Sequence, residues 1–234
     1  MSEFVIETGQ YAYHVQFSAN RRSVVLQVKQ GLVTVKAPLG YPLQDVKNIV
    51  AAKHAWVMRH IDNYPAQQAP QWLANRQLPL LDDRLSLSLQ KSKTSSVQLD
   101  DKHLVVNVSS RVQDKRFDLV AQTLIKNWYK QHAVDWFSSR TAYWKQKMNL
   151  TVNDIVIGDW KSRWGYCRQD GELGFNWRLL MAPAVIADYV VVHELSHIKH
   201  MNHSPLFWQL VQHYYPEHRS AKHWLRKNHY QLML

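Results

Sequence analysis

The stretch "APAVIADYVVVHELSHIKHMNHSP", residues 182–205, decides how the C-terminal half of this chain folds. Val190, Val191 and Val192 argue locally for a strand, but a strand running from Pro183 to Met201 would be far too long, so length decides for a helix. Pro183 suits a first helical turn, because its missing N–H would have no partner there anyway. At about 100° per residue, His193 and His197 lie roughly 40° apart on one face. Ala184, Ala187, Val191, Leu195 and Ile198 gather on the opposite side. One stripe packs and the other presents imidazoles, with the helix expected to end near Met201.

Two neutral imidazoles one turn apart match a tetrahedral zinc, whose bonds to histidine nitrogen are about 2.0–2.1 Å. "HELSH" has the spacing H-E-x-x-H, in which Glu194 reaches a water on the metal without being a ligand. The metal lowers the pKa of that water from about 15.7 to about 7, and the glutamate removes its proton. His203 is the expected third ligand. Met201 and Asn202 can end the helix and turn the chain back, since asparagine tolerates a left-handed C-terminal residue. Ser204 and Pro205 then read as N-cap and first position of the next helix. His200 competes for the metal, with an exposed or supporting position as its expected role. Three ligands leave a fourth position open, the mark of a catalytic site. The plainer alternative, ordinary histidines in a chain that has 13 of them, leaves a bare glutamate on an otherwise apolar helix with no partner, which is costly to bury.

The surroundings narrow the chemistry. A formal net charge of +11 implies a positive field that would steer anionic partners, although the basic residues are spread along the 234 positions. One cysteine, Cys167, excludes an internal disulfide and any paired-cysteine zinc knuckle. No basic leader precedes an apolar block and no run of about 18 apolar residues occurs, so the expectation is a cytoplasmic protein without a membrane partner.

Upstream, period-two alternation marks strands through Tyr11, Tyr13, Val15 and Phe17, then Val24 to Val28, then Val33 to Ala37 beyond a turn at Gln30 and Gly31. Helical spacing runs from Leu43 to Tyr64, until "PAQQAP" from Pro65 breaks it. Strands return in "RLSLSLQ" from Arg84, "SVQLD" from Ser96 and "KHLVVNV" from Lys102. A long helix from Phe117 toward Trp144, bent near Ser138 and Ser139, opens the C-terminal part, where "TVNDIVIGDW" and "GELGFNW" read as strands. No internal repeat is visible.

The chain resembles the YgjP-like metallopeptidases, a zincin-type group of metal-dependent hydrolases. The likeness lies in "KSRWGYC" from Lys161, "FNWRLLMAP" from Phe175, "DYVVVHELSHIKHMNHSPLFW" from Asp188, and the softer N-terminal "RRSVVLQVKQGLVTVKAP" and "KHAWVMRHI". It is more distantly similar to the SprT-like proteases that act on proteins attached to DNA. The resemblance implies that His193, His197 and His203 bind Zn2+ and that Glu194 is the general base. The expected architecture is therefore α+β, with a β-rich N-terminal portion containing one helix over residues 1–112. A mainly helical zincin-like catalytic portion with an HExxH active-site helix follows over 113–234.

The leading expectation is a zinc-dependent hydrolase, a metallopeptidase acting on peptides or proteins through zinc-bound water activated by Glu194. Two rivals stand beside it: a metal-dependent nucleotide phosphohydrolase (pyrophosphatase) using the same site, and a nucleic-acid or protein-binding module with a structural metal. Other residues invite roles. Arg163 is a candidate to polarise a carbonyl or hold a phosphate. Trp164 and Gly165 read as a packed strand edge, Gly165 allowing close backbone approach. Cys167 reads as inert. Tyr189, Tyr214 and Tyr215 are candidate oxyanion donors, each also a core candidate. Asp188 and Asn176 are both candidates to orient a ligand histidine, and the sequence does not select between them. "HRSAKHWLRKNH" from His218 reads as a solvated helix face before a phosphate site.

Overall fold

The computed structural model describes residues 3–29, 32–62 and 72–232 and divides the chain into two compact units, Met1–Gln68 and Ala69–Leu234. The first unit holds strands β1 (Glu3–Glu7), β2 (Ala12–Ser18), β3 (Val25–Lys29) and β4 (Leu32–Pro38), then helices α1 (Leu43–Ala52) and α2 (His54–Asp62). Its sheet order is β1-β2-β4-β3, with β2 and β4 parallel. The alternation buries Tyr13, Val15 and Phe17 of β2 and Val33, Val35 and Ala37 of β4 against Val46, Val50 and Val57. The helix expected to run unbroken from Leu43 is instead two, because the chain turns at Lys53. The turn at Gln30 and Gly31 and the breaker segment from Pro65 lie outside the described residues.

The second unit opens with β5 (Gln77–Leu80), β6 (Asp83–Ser92), β7 (Ser96–Asp100) and β8 (His103–Ser109), in the order β5-β6-β8-β7. β6 and β8 are parallel, as β2 and β4 are, and β7 and β8 form a hairpin in the same register as β3 and β4. The same four-stranded arrangement therefore occurs twice, a repeat the sequence reading missed because only the inward period is kept. Val33, Val35 and Ala37 in one copy stand where Leu104, Val106 and Val108 stand in the other. Helix α3 (Phe117–Met148), 32 residues without a break, buries Ala121, Ile125, Tyr129 and Phe137 in one core with Leu78, Leu85, Leu104 and Val106. The boundary expected near residue 112 thus falls inside the second unit, where β8 and α3 share a core.

A three-stranded sheet follows: β9 (Asp154–Gly158), β10 (Gly165–Cys167) and β11 (Glu172–Asn176), in the order β10-β11-β9. Phe175 of β11 stacks on Phe137 at 4.6 Å between ring centroids, which fixes this sheet to α3. Helices α4 (Ala184–His197), α5 (Pro205–Tyr214) and α6 (His218–Asn228) close the unit. α6 buries His218, Ala221 and Leu225, and its remaining charged residues face solvent, as the solvated-face reading expects.

Candidate metal centre

Helix α4 is apolar on most of its surface because it sits inside the core, and Glu194 and His197 are buried with it. It ends at His197 rather than near Met201. The amides of Ile198 and Lys199 bond back to the carbonyls of Leu195 and Ser196, which tightens the last turn. The His197 ring reinforces this early end, since its Nδ1 lies 3.0 Å from the carbonyl oxygen of His200. That bond assigns the proton to Nδ1 and leaves Nε2 with its lone pair outward. His200, expected on the same helical face, lies beyond the helix and serves through its backbone oxygen.

The turn brings His203 back onto α4, where its Nε2 lies 3.1 Å from Nε2 of His193. Ligand atoms of His193, His197 and His203 all lie within 4.8 Å of one another. Ser204 caps α5 by accepting the amide of Phe207 at 3.4 Å, with Pro205 in the first turn, as the sequence signals indicate. Phe207, fully buried, contacts all three imidazoles at centroid distances of 4.5–4.9 Å. Trp208 stacks on His203 at 5.6 Å. The position of Phe207 beneath the histidines depends on the turn before it.

Burial, followed by His197, His203 and Lys222, pushes His193 down to about 3, and burial also lowers His197. Both shifts favour neutral rings at His193 and His197, the state in which an imidazole nitrogen can donate to a metal ion. Three converging imidazoles with no carboxylate among them fit a nitrogen-bound metal.

Glu194 is 6% exposed. Burial pushes its carboxyl up to about 8, opposed by the charge of Arg163. Its Oε1 lies 2.7 Å from where a Cβ on Gly165 would stand, so a side chain there would collide with the carboxylate. This is the close approach expected of Gly165, and it seats β10 against Glu194. Asn176, 1% exposed, holds the loop before β10: its Nδ2 donates to the carbonyls of Trp160 at 2.7 Å and Arg163 at 3.1 Å.

Asn176 therefore fixes a loop and does not orient a ligand histidine. Nor does Asp188, which accepts Arg140 Nε at 2.7 Å, Arg140 Nη2 at 2.6 Å and Trp144 Nε1 at 3.2 Å, pinning α4 to α3. The reason is helical phase: five residues separate Asp188 from His193, which rotates it by about 140°. Among the tyrosines, the Tyr215 hydroxyl donates to the Val185 carbonyl, and Tyr214 is half-buried against the core. Tyr189 lies beside His193 at 5.8 Å, its phenol pushed up to about 12 by burial and then by Glu194. Burial, then Glu194 and Asp170, push the Cys167 thiol up to about 11, in keeping with an inert cysteine. Trp164 is half-buried on the core.

A family model described as "YgjP-like, metallopeptidase domain" matches residues 22–228. The chain belongs to this family. Comparison with curated proteins gives no match. Among solved structures, the metallopeptidase zymogen abylysin of Pyrococcus abyssi is 22% identical, with a TM-score of 0.34 over 37% of this chain and 86% of that one. A likeness that slight carries nothing over to this chain. As a YgjP-like domain the protein is a metal-dependent hydrolase of the peptidase class. The family supports neither nucleotides nor nucleic acid as partners. No helix among the described residues is long and apolar enough to cross a membrane.

Proposed function

We propose that this YgjP-like domain is a zinc peptidase in which His193, His197 and His203 hold the ion and Glu194 is the general base. The observation that carries the reading is the convergence of three imidazoles, all ligand atoms within 4.8 Å, beside the buried carboxylate of Glu194. Zinc bonds of about 2.0–2.1 Å in a tetrahedron set donor atoms roughly 3.3 Å apart. The 3.1 Å between the His193 and His203 nitrogens is close to that spacing. Neutral nitrogen donors favour zinc over calcium or magnesium, which take oxygen.

When bound, zinc supplies Lewis acidity that lowers the pKa of a water and polarises a carbonyl. Glu194 would take the proton of the attacking water on its carboxylate and deliver it to the nitrogen of the leaving amine. Gly165 lets β10 close over that carboxylate and keeps it from bulk water. β10 ends its sheet, with β11 as its strand partner among the described residues, and lies against Glu194. An extended peptide can pair with such a free edge, which supports peptides as substrates.

The test compares the zinc-loaded protein with Glu194→Gln on a mixed pool of peptides and unfolded protein, with products read by mass spectrometry and metal content measured on both. Loss of the base should cost on the order of 10² to 10⁴ in rate at unchanged zinc content. Equal cleavage by the two proteins would remove Glu194 from the chemistry.

A further inference from the structure

Close to this site stands a cation whose backbone is tied by hydrogen bonds. Arg163 is exposed, and its guanidinium makes no ion pair among the described residues; it lies over the Tyr166 ring, 6.0 Å from the centroid. Its carbonyl is held by the Asn176 side chain, and the next carbonyl, of Trp164, accepts the Asn176 amide at 2.8 Å. At the other end of the loop, Asp159 is tied to both Lys126 and Arg178. A residue held in this way, whose charged end acts on Glu194 but makes no ion pair among the described residues, is suited to receive a carboxylate from a ligand.

Its place relative to the reaction follows from the strand. Gly165, two residues on, lies against Glu194. Extended chain advances about 3.3 Å per residue, so a peptide along the edge of β10 with its reacting amide at Glu194 carries its next one or two residues past Arg163. The neighbouring acid on β11, Glu172, is already engaged by the Tyr166 hydroxyl at 2.6 Å and by Arg168 at 3.2 Å. A second cation stands near the histidines: Lys222 Nζ lies 4.7 Å from the centre of the Trp208 ring, which stacks on His203.

We propose that Arg163 determines specificity by binding a carboxylate of the peptide substrate one or two residues from the scissile bond. That carboxylate is either the free C-terminus or an aspartate or glutamate side chain. The inference rests on the peptidase reading above and makes the enzyme selective for acidic or C-terminal segments.

The experiment measures binding and turnover separately. Zinc-loaded Glu194→Gln protein is offered three pools of short peptides: neutral and C-terminally amidated, the same sequences with free C-termini, and amidated sequences carrying one aspartate. Retained peptides are quantified by mass spectrometry, and wild-type enzyme is given the same pools for cleavage. One carboxylate pool should be retained about tenfold over the neutral pool, as expected for a hydrogen bond to a charged group. Which pool wins identifies the source of the carboxylate. Adding Arg163→Gln should bring the ratio near one, Arg163→Lys should restore part of it, and Lys222→Gln should leave most of it.

No discrimination by the parent protein overturns the proposal, as does discrimination that survives Arg163→Gln. An equal loss with Lys222→Gln also overturns it, since that is the signature of a diffuse positive field and not of a contact. Discrimination in binding without cleavage by wild type would instead sink the peptidase reading while leaving Arg163 as a carboxylate site.

Discussion

Replacing Gly165 by alanine tests whether β10 and Glu194 fit together as described. The added Cβ would stand 2.7 Å from Glu194 Oε1, 2.8 Å from its Cγ and 2.9 Å from the backbone oxygen of Gly174, where ordinary contact begins at 3.4 Å. The glutamate must retreat by roughly 0.7 Å or the strand must lift by a similar distance. Overpacking of this kind costs about 1–3 kcal/mol, against which alanine gains about 0.4–1 kcal/mol by restricting the unfolded chain. The net loss is about 1–2 kcal/mol, or a melting temperature lower by about 2–8 °C at this size. The larger effect falls on turnover, since displacing a reacting group by about 1 Å costs on the order of 10²-fold. The assay pairs kcat/KM on a cleaved peptide with thermal melting and zinc content, alongside Gly174→Ala, whose Cβ would meet the Tyr166 ring instead. Gly165→Ala should lose far more activity than Gly174→Ala for a similar loss of stability, with zinc retained. A Gly165→Ala enzyme with wild-type kcat/KM would falsify the contact between β10 and the base.

The ligand set predicts that His203→Ala weakens zinc by at least about tenfold in a chelator competition, while His200→Ala changes it little, because His200 contributes only its carbonyl oxygen. Equal losses would mean that the third ligand is misassigned. Asp188→Asn removes the charge that Arg140 and Trp144 hold between α3 and α4 and should lower stability by about 2 kcal/mol in urea titration. Asp159 loses some ease of ionisation to burial, but its bonds to Lys126 and Arg178 outweigh this and hold it at about 2. Its stabilisation is therefore complete above the ordinary carboxylate range near 4 and fades as pH falls toward 2, so the stability gap to Asp159→Asn, about 2 kcal/mol at neutral pH, should close across that window. With its thiol pushed up to about 11, Cys167 should resist alkylation at pH 8 in the folded protein and react once unfolded.

The local signals of this sequence were enough to locate the histidine helix. Length overruled the three valines, and Met201, Asn202, Ser204 and Pro205 marked a turn and a cap that return His203 to the helix it left. Alternation likewise located β2, β3, β4, β6, β7 and β8, since a half-buried strand must place every second residue inward. β1 and β5 were missed, since neither carries a clear alternation bounded by turn signals.

Tertiary structure decided everything that depends on which surface meets which. Where α4 stops depends on the His197 ring meeting the carbonyl of His200, and neither residue type announces that pairing. Asn176 and Asp188 read as partners for histidine, but helix phase and loop position gave them to a pair of carbonyls and to an arginine. The division near residue 68 and the doubled four-stranded sheet were hidden for a common reason. Packing constrains the inward period and the volume of a core, and many sequences satisfy both, so valine and alanine in one copy do the work of leucine and valine in the other. Caps and periodicity act within a few residues and can be read directly; the partner of a buried face is set by the whole fold.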